Sequence, residues 1–288
     1  MSSVSAPQLD SSANHFELTD REFKQFRDLI YEITAINMGE SKRQLIYRRL
    51  VGRLKDLRMQ TFSEYLERLK SGDEAEMELF TNSITTNLTS FFREQHHFDY
   101  LSETILPEVL RCKRRTQKKL RIWSAGCSTG EEPYSIAITL RDSIPDICSW
   151  DAKLLCTDID SDVLNKARSG VYPEERIEKV SAEIKKRWFQ HSEQDGQAVV
   201  RVNRRLQEII TFKQLNLMHE WPMKGPFDVI FCRNVVIYFD KKTQRGLIDR
   251  YANLLDEGGY LILGHSESLH EVTDRFELIG KTIYKKIR

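Results

Sequence analysis

No stretch of this 288-residue chain is apolar over the roughly 18 residues that a membrane span needs. Met1 to Asp20 has neither a basic start nor an apolar core, so it is not read as a secretory leader. It is polar and serine-rich, and residues 1–16 are expected to be a disordered tail. The five cysteines, Cys112, Cys127, Cys148, Cys156 and Cys232, are odd in number and form no Cys-x-x-Cys pair. That pattern argues against a disulfide framework and a zinc site. The seven histidines show no ligand spacing, so no metal is expected. No internal repeat or long low-complexity stretch is visible. The cytoplasm is the default location.

Charge of one sign is also lacking, since the net charge is +1. Its distribution is uneven, however. Ser41 to Met59 holds seven basic residues against Asp56 alone, and Arg111 to Arg121 holds seven with no acid. The chain is not a nucleic-acid-type polycation, but it carries local positive surfaces. Hydrophobic content of 40% and charged content of 30% suit a globular protein, and the length suits two domains.

Residues 17–90 read as a helical domain. Thr19 or Asp20 caps a first helix, with Phe23, Phe26, Leu29, Ile30 and Ile33 at helical spacing. Ser41 is expected to cap a second, whose apolar face holds Ile46, Leu50 and Leu54. Thr61–Lys70 and Glu74–Ser83 supply two more. From residue 91 to 288 strand-like runs alternate with helical ones, which predicts an α/β domain with a parallel sheet covered on both faces. Phe276–Ile287 reads as a closing antiparallel hairpin. Residues 170–205 interrupt the alternation, and Asp195-Gly196 between two strand-like runs predicts a small antiparallel β insertion.

The most informative segment is Leu120-Arg-Ile-Trp-Ser-Ala-Gly-Cys-Ser-Thr-Gly-Glu-Glu-Pro133. A strand enters a loop bounded by Gly126 and Gly130, and Pro133 sits in the first turn of the next helix. Glu131 and Glu132 would repel a pyrophosphate where phosphate binders present bare N–H groups. A cofactor with a positive group and no phosphate, such as S-adenosylmethionine, fits them better. Asp158 ends the next strand and suits ribose hydroxyls, while Asp160 suits a helix cap. Arg233-Asn234 and Asn216-Leu217 lie at the carboxyl ends of later strands, the edge where open α/β sheets bind ligands. Asn87-Leu-Thr-Ser-Phe-Phe-Arg93 places a cation beside two aromatics. His96-His97 reads as an exposed helical pair, and His265-Ser-Glu267 lacks a third ligand.

Asn87–Arg93, Trp123–Ser135, Asp158 and Arg233–Phe239 together resemble the CheR family, S-adenosylmethionine-dependent protein-glutamate methyltransferases of bacterial chemotaxis, in the manner of its enteric members. The resemblance covers most of the chain. It implies a Rossmann-like methyltransferase sheet with an N-terminal all-helical domain. It further implies that Asn87, Thr89 and Arg93 help bind the cofactor and that Gly126 and Glu131 line its methionine side. Asp158 would hold the ribose, and Asn216, Leu217, Arg233 and Asn234 would surround the adenosine or amino-acid portion. Arg93 and Tyr238 would stand near the reacting methyl. Lys42, Arg49, Arg53 and Arg58 would face the helical bundle of a chemotaxis receptor, and the β insertion would dock a receptor C-terminal tail peptide. The products would be a glutamyl methyl ester and S-adenosylhomocysteine, made by a monomer without nucleic acid or membrane insertion. A nucleic-acid methyltransferase and a non-catalytic adaptor that binds S-adenosylmethionine remain as alternatives. Against the former, no Asn/Asp-Pro-Pro-aromatic motif occurs.

Overall fold

The computed structural model describes residues 16–113 and 118–288. The disordered-tail expectation therefore lies outside the described residues, except at Phe16. That residue is buried against the first helical core and edges onto Phe62.

Four helices form the N-terminal domain: α1 (Asp20–Thr34), α2 (Arg43–Asp56), α3 (Phe62–Lys70) and α4 (Glu74–Ile84). Thr19 and Glu22 close a reciprocal capping box at the start of α1, satisfying two donors that the helix cannot. Thr61 and Asp73 cap α3 and α4. Ser41 does not cap α2. It lies inside a 3-10 turn, Glu40–Lys42, that leads into the helix, and no side chain caps it. Phe23, Phe26, Ile30, Leu50, Phe62 and Phe80 fill the core between the four.

An extended linker then leads to α5 (His96–Tyr100), one π turn (Leu101–Ile105) and α6 (Leu106–Lys113). The expected exposed histidine pair is corrected here. His97 is fully buried, with Nε2 3.1 Å from the Lys281 carbonyl oxygen. Burial pushes its pKa down to about 4.

The second domain runs β1 (Lys119–Ala125), α7 (Glu131–Ser143), β2 (Asp151–Asp158), α8 (Ser161–Ser169), β3 (Val171–Pro173), α9 (Ala182–Trp188), β4 (Phe189–Gln194), β5 (Gln197–Val202) and α10 (Arg204–Gln207). It continues with β6 (Ile210–Gln214), β7 (Phe227–Cys232), α11 (Lys241–Leu254), β8 (Leu255–Leu263), β9 (Phe276–Gly280) and β10 (Ile283–Lys286). The main sheet has the order β6-β2-β1-β7-β8-β10-β9. Its first five strands are parallel, and β10 joins β8 antiparallel. Strand residues alternate between two apolar layers. Ile122, Val229, Phe231 and Ile262 face one, and Trp123, Ile230, Leu261 and Leu263 face the other.

The chain winds outward from β1 through β2 to β6, then returns to β7 on the other side of β1. That reversal opens a crevice at the carboxyl ends of β1 and β7. The insertion is a separate antiparallel sheet of order β3-β5-β4. Its turn residues Asp195 and Gly196 both have positive φ, +51° and +73°, as a two-residue hairpin requires. Phe189 anchors it edge-on to Phe91, 5.2 Å between ring centroids. The basic run from Arg111, expected as a local positive surface, is partly neutralised. Residues 114–117 lie outside the described residues, but Lys113 pairs with Asp228 and Asp256, and Arg121 with Asp151.

Candidate functional site

The loop after β1 is held down by the end of β2. The N–H groups of Gly126 and Cys127 both donate to the Thr157 carbonyl, at 2.8 and 2.9 Å. Gly126 has φ +84° and Gly130 φ +99°, conformations that favour glycine. Close packing excludes a side chain as well. A Cβ on Gly126 would run into Val235, and one on Gly130 would lie 2.8 Å from Ala167 and the Tyr172 hydroxyl. Ser128 then donates its N–H to Asp158 Oδ2 at 2.8 Å, while Asp160 N–H donates to Oδ1 at 3.1 Å. Burial raises the pKa of Asp158 to about 6, against the lowering effect of those two donors. Asp160 caps α8, accepting from Asp162 N–H at 2.9 Å.

The two carboxylates that open α7 have different fates. Glu131 is fully buried, pairs with Arg176 of the insertion and accepts from Thr129 Oγ1 at 2.6 Å. It is not among the residues that line the crevice, contrary to the expected placement on the methionine side, and its carboxylate is taken up by Arg176. Glu132 lines the crevice instead. It accepts from Ser124 Oγ at 2.7 Å and Arg233 Nη1 at 3.0 Å. Burial raises the pKa of Glu132, against the Arg233 charge and the Ser124 bond. The acids at this helix start are therefore neutralised by salt bridges and are not bare charges aimed at a ligand.

Asn87, Thr89, Arg93 and Tyr238 line one open crevice with Gly126 and Asp158. Asn216, Leu217, Arg233 and Asn234 join them. Several of these are already engaged. Arg233 lies between Glu132 and Glu94, 3.3 Å from Glu94, and also donates to the Arg93 carbonyl. It holds the crevice wall together and is not a free fork for a ligand carboxylate. Asn87 donates its amide to Asp160 Oδ2 at 2.7 Å, and Asn216 donates to the Ile33 carbonyl at 2.7 Å. Arg93 donates Nη1 to the Leu88 carbonyl at 2.8 Å and remains part-exposed at the crevice.

The helical domain supplies the opposite wall. Ala35 turns left-handed at φ +56° and sends Ile36 and Met38 across the crevice. Asn37 N–H donates to the Tyr238 carbonyl at 2.9 Å. Nothing in the apolar residues Ile36 and Met38 marked them as site residues. Arg176, Glu94 and Glu132 were equally unmarked as partners, because each acts through a residue distant in sequence.

The expected substrate-facing cations divide. Lys42 and Arg58 are exposed. Arg53 instead pairs with Glu76 at 2.7 Å and Asp56 at 3.2 Å. Arg49 donates to the Ile84 carbonyl and to Thr86 Oγ1, and burial lowers its pKa. Arg49 thus ties α2 to the end of α4 and the linker, Arg53 ties α2 to α4, and both are engaged within the chain. The one convergence of metal-donor atoms among the described residues is Glu94, His96 and His97, within 4.8 Å of one another. Arg233 already stands beside Glu94 there.

The chemistry of the crevice fits S-adenosylmethionine. Of the two arginines lining it, Arg233 is spent on two carboxylates, leaving Arg93 as a poor cradle for a pyrophosphate. Asp158 is a buried acceptor at a strand end, placed for hydroxyl donors.

Comparison with known proteins agrees. Residues 87–285 match the model of "CheR methyltransferase, SAM binding domain", and residues 21–85 match "CheR methyltransferase, all-alpha domain". The chain is 45% identical over 260 residues to a probable chemotaxis protein methyltransferase of Rhizobium etli, covering 89% of this chain and 96% of that one. It is 42% identical over 284 residues to chemotaxis protein methyltransferase 2 of Pseudomonas aeruginosa, covering 98% of each. It is also 42% identical over 270 residues to the chemotaxis protein methyltransferase of Escherichia coli, covering 93% of this chain and 91% of that one.

Proposed function

Because the chain belongs to the CheR methyltransferase family and its cofactor is S-adenosylmethionine, we propose that it methylates glutamate side chains of chemotaxis receptors in the cytoplasm. The observation that carries this reading is the crevice itself. It sets a buried carboxylate, Asp158, in one wall and Arg93 and Tyr238 in others.

When bound, S-adenosylmethionine supplies an electrophilic methyl group on a sulfonium, which takes the electron pair as the carbon–sulfur bond breaks. The chain's own residues then have two tasks, holding and aligning. Asp158 would accept hydrogen bonds from ribose hydroxyls. Asn87, Thr89 and Arg93 would hold the amino-acid end, and Leu217 and Asn234 would hold the nucleoside. A substrate glutamate with a pKa of about 4.3 is ionised at neutral pH, so its oxygen needs no general base. Arg93 and the Tyr238 hydroxyl orient that carboxylate for in-line attack and exclude water from it. Positioning of this kind is worth about 7–11 kcal/mol.

The exposed Lys42 and Arg58 suit an acidic helical bundle. Strand β4 lies at the rim of the small sheet and is exposed from Gln190 to Gln194. Its free edge suits an extended receptor tail by strand addition.

The test is transfer of a radiolabelled methyl group to receptor cytoplasmic fragments. A protein product that releases labelled methanol in base supports a glutamyl ester. A base-stable label, or one on nucleic acid, would replace this reading with another methyltransferase. Cofactor binding without any transfer would leave a sensor or adaptor.

A further inference from the structure

The loop after β8, Gly264-His265-Ser266-Glu267, touches both walls that carry the residues nearest the reacting centre. Glu267 is 4% exposed. It accepts three backbone N–H groups: Gly264 at 2.6 Å, Asn234 at 2.8 Å and Ile237 at 3.1 Å. Two of these donors belong to the segment that presents Tyr238. Gly264 permits the approach, since a Cβ there would lie 2.8 Å from the Asn234 nitrogen.

His265 reaches the other wall. Its N–H donates to Glu94 Oε2 at 3.0 Å, and its Nδ1 lies 2.8 Å from Oε1. Glu94 follows Arg93 directly. Phe92 and Glu94 flank Arg93 with φ of +53° and +57°, backbone states that surrounding contacts must hold in place. Those contacts include the His265 pair, Arg233 on the Arg93 carbonyl and 3.3 Å from Glu94, His97 Nδ1 3.4 Å from Glu94, and Ser135 Oγ accepting from Phe92 N–H at 2.9 Å. Leu263, at the end of β8, pairs in register with Cys232 at the end of β7. The loop thus stands on the sheet and reaches sideways in both directions.

We propose that the Gly264–Glu267 loop is a clamp that fixes Arg93 relative to Tyr238, with His265 and Glu267 as positioning residues. The proposal rests on the methyltransferase reading above. Neither residue needs to touch substrate. Glu267 fixes the Asn234–Tyr238 segment through its backbone, and His265 fixes Arg93 through Glu94.

His265 is exposed, and its replacement removes no core contact. The asparagine Nδ2 occupies the place of histidine Nδ1, so His265→Asn keeps the donor to Glu94 while removing the ring. The experiment compares wild type, His265→Ala and His265→Asn as full chains. It reads kcat on receptor fragments at saturating cofactor, calorimetric affinity for S-adenosylhomocysteine, Tm, and amide hydrogen exchange over 92–94 and 234–238. His265→Ala should lower kcat about tenfold, as small misplacements of reacting groups do. Exchange over 92–94 should accelerate, while Tm stays at the wild-type value. His265→Asn should restore both kcat and exchange. Wild-type kcat in His265→Ala overturns the clamp. So does failure of His265→Asn to restore kcat, which would mean direct contact by the ring. Loss of Tm in step with activity, at constant kcat per bound cofactor, would make the loop merely structural and also overturns it. The exchange arm needs no substrate. An inactive wild type therefore counts against the methyltransferase reading, and the clamp is then judged by exchange alone.

Discussion

Ionised, Asp158 offers both oxygens to hydroxyl donors, and the charge strengthens those bonds, yet its burial makes ionisation costly. Its pKa is raised from 3.8 to about 6. The folded chain therefore holds this proton more tightly than the unfolded chain does. Stability linked to the group is full below the unfolded value and is lost as pH rises through about 6. Ligand binding has the opposite sign, since hydroxyl donors favour the carboxylate. Affinity for S-adenosylhomocysteine should fall about fourfold between about pH 7.5 and about pH 5.5. Calorimetry across that range checks it. Asp158→Asn should bind about tenfold or more weakly at neutral pH, as expected for lost bonds to a charged acceptor, and should lose the dependence. A variant that kept the wild-type slope would assign the titration to another group.

At the scale of elements, α2 and the residues that flank it carry two kinds of cation that look alike in sequence. Arg53 neutralises Glu76, whose side chain is 2% exposed. Arg53→Ala leaves that carboxylate with the Tyr65 hydroxyl, 2.8 Å away, as its remaining side-chain partner. The cost should be about 3–5 kcal/mol, the range for breaking one half of a buried pair. Denaturant unfolding measures it, and any loss of methylation would follow the loss of folded protein. Lys42→Gln and Arg58→Gln should instead stay within about 0.5 kcal/mol of wild type, while lowering methylation of receptor fragments in a salt-dependent way. The insertion makes a second prediction at this scale. Adjacent residues of a strand point their N–H groups in opposite directions, so one of Ser192 and Glu193 offers its N–H to the open edge of β4. Proline at that position should abolish binding of receptor tail peptide by calorimetry and leave methylation of tail-less receptor unchanged. Unchanged tail binding in both Ser192→Pro and Glu193→Pro would remove the edge from consideration.

At the scale of the whole molecule, the two domains share one site. Tyr31 Oη donates to Asp240 Oδ2 at 2.6 Å, Asn216 reaches the Ile33 carbonyl, and Thr85 Oγ1 donates to Asp160 Oδ2 at 2.6 Å. Ligand at about 100 times its Kd should stabilise the chain by about 2.7 kcal/mol, and both domains should shift together in one calorimetric transition. Two transitions with a single one shifting would show that the helical domain does not share in binding. The sequence by itself determined the four N-terminal helices, the alternating α/β domain, the hairpin at Asp195-Gly196 and the glycine loop before α7. These follow from signals within a few residues: periodicity, caps and turn residues. Tertiary structure alone decided that Glu131 is consumed by Arg176 while its neighbour Glu132 faces the crevice. It also decided that Arg53 turns inward while Arg58 stays exposed, that His97 is buried, and that Ile36 and Met38 close over the site. Each of those outcomes is a pairing between segments far apart along the chain. A salt bridge or a shared cavity wall depends on where the partner arrives in space, and local spacing carries no record of that.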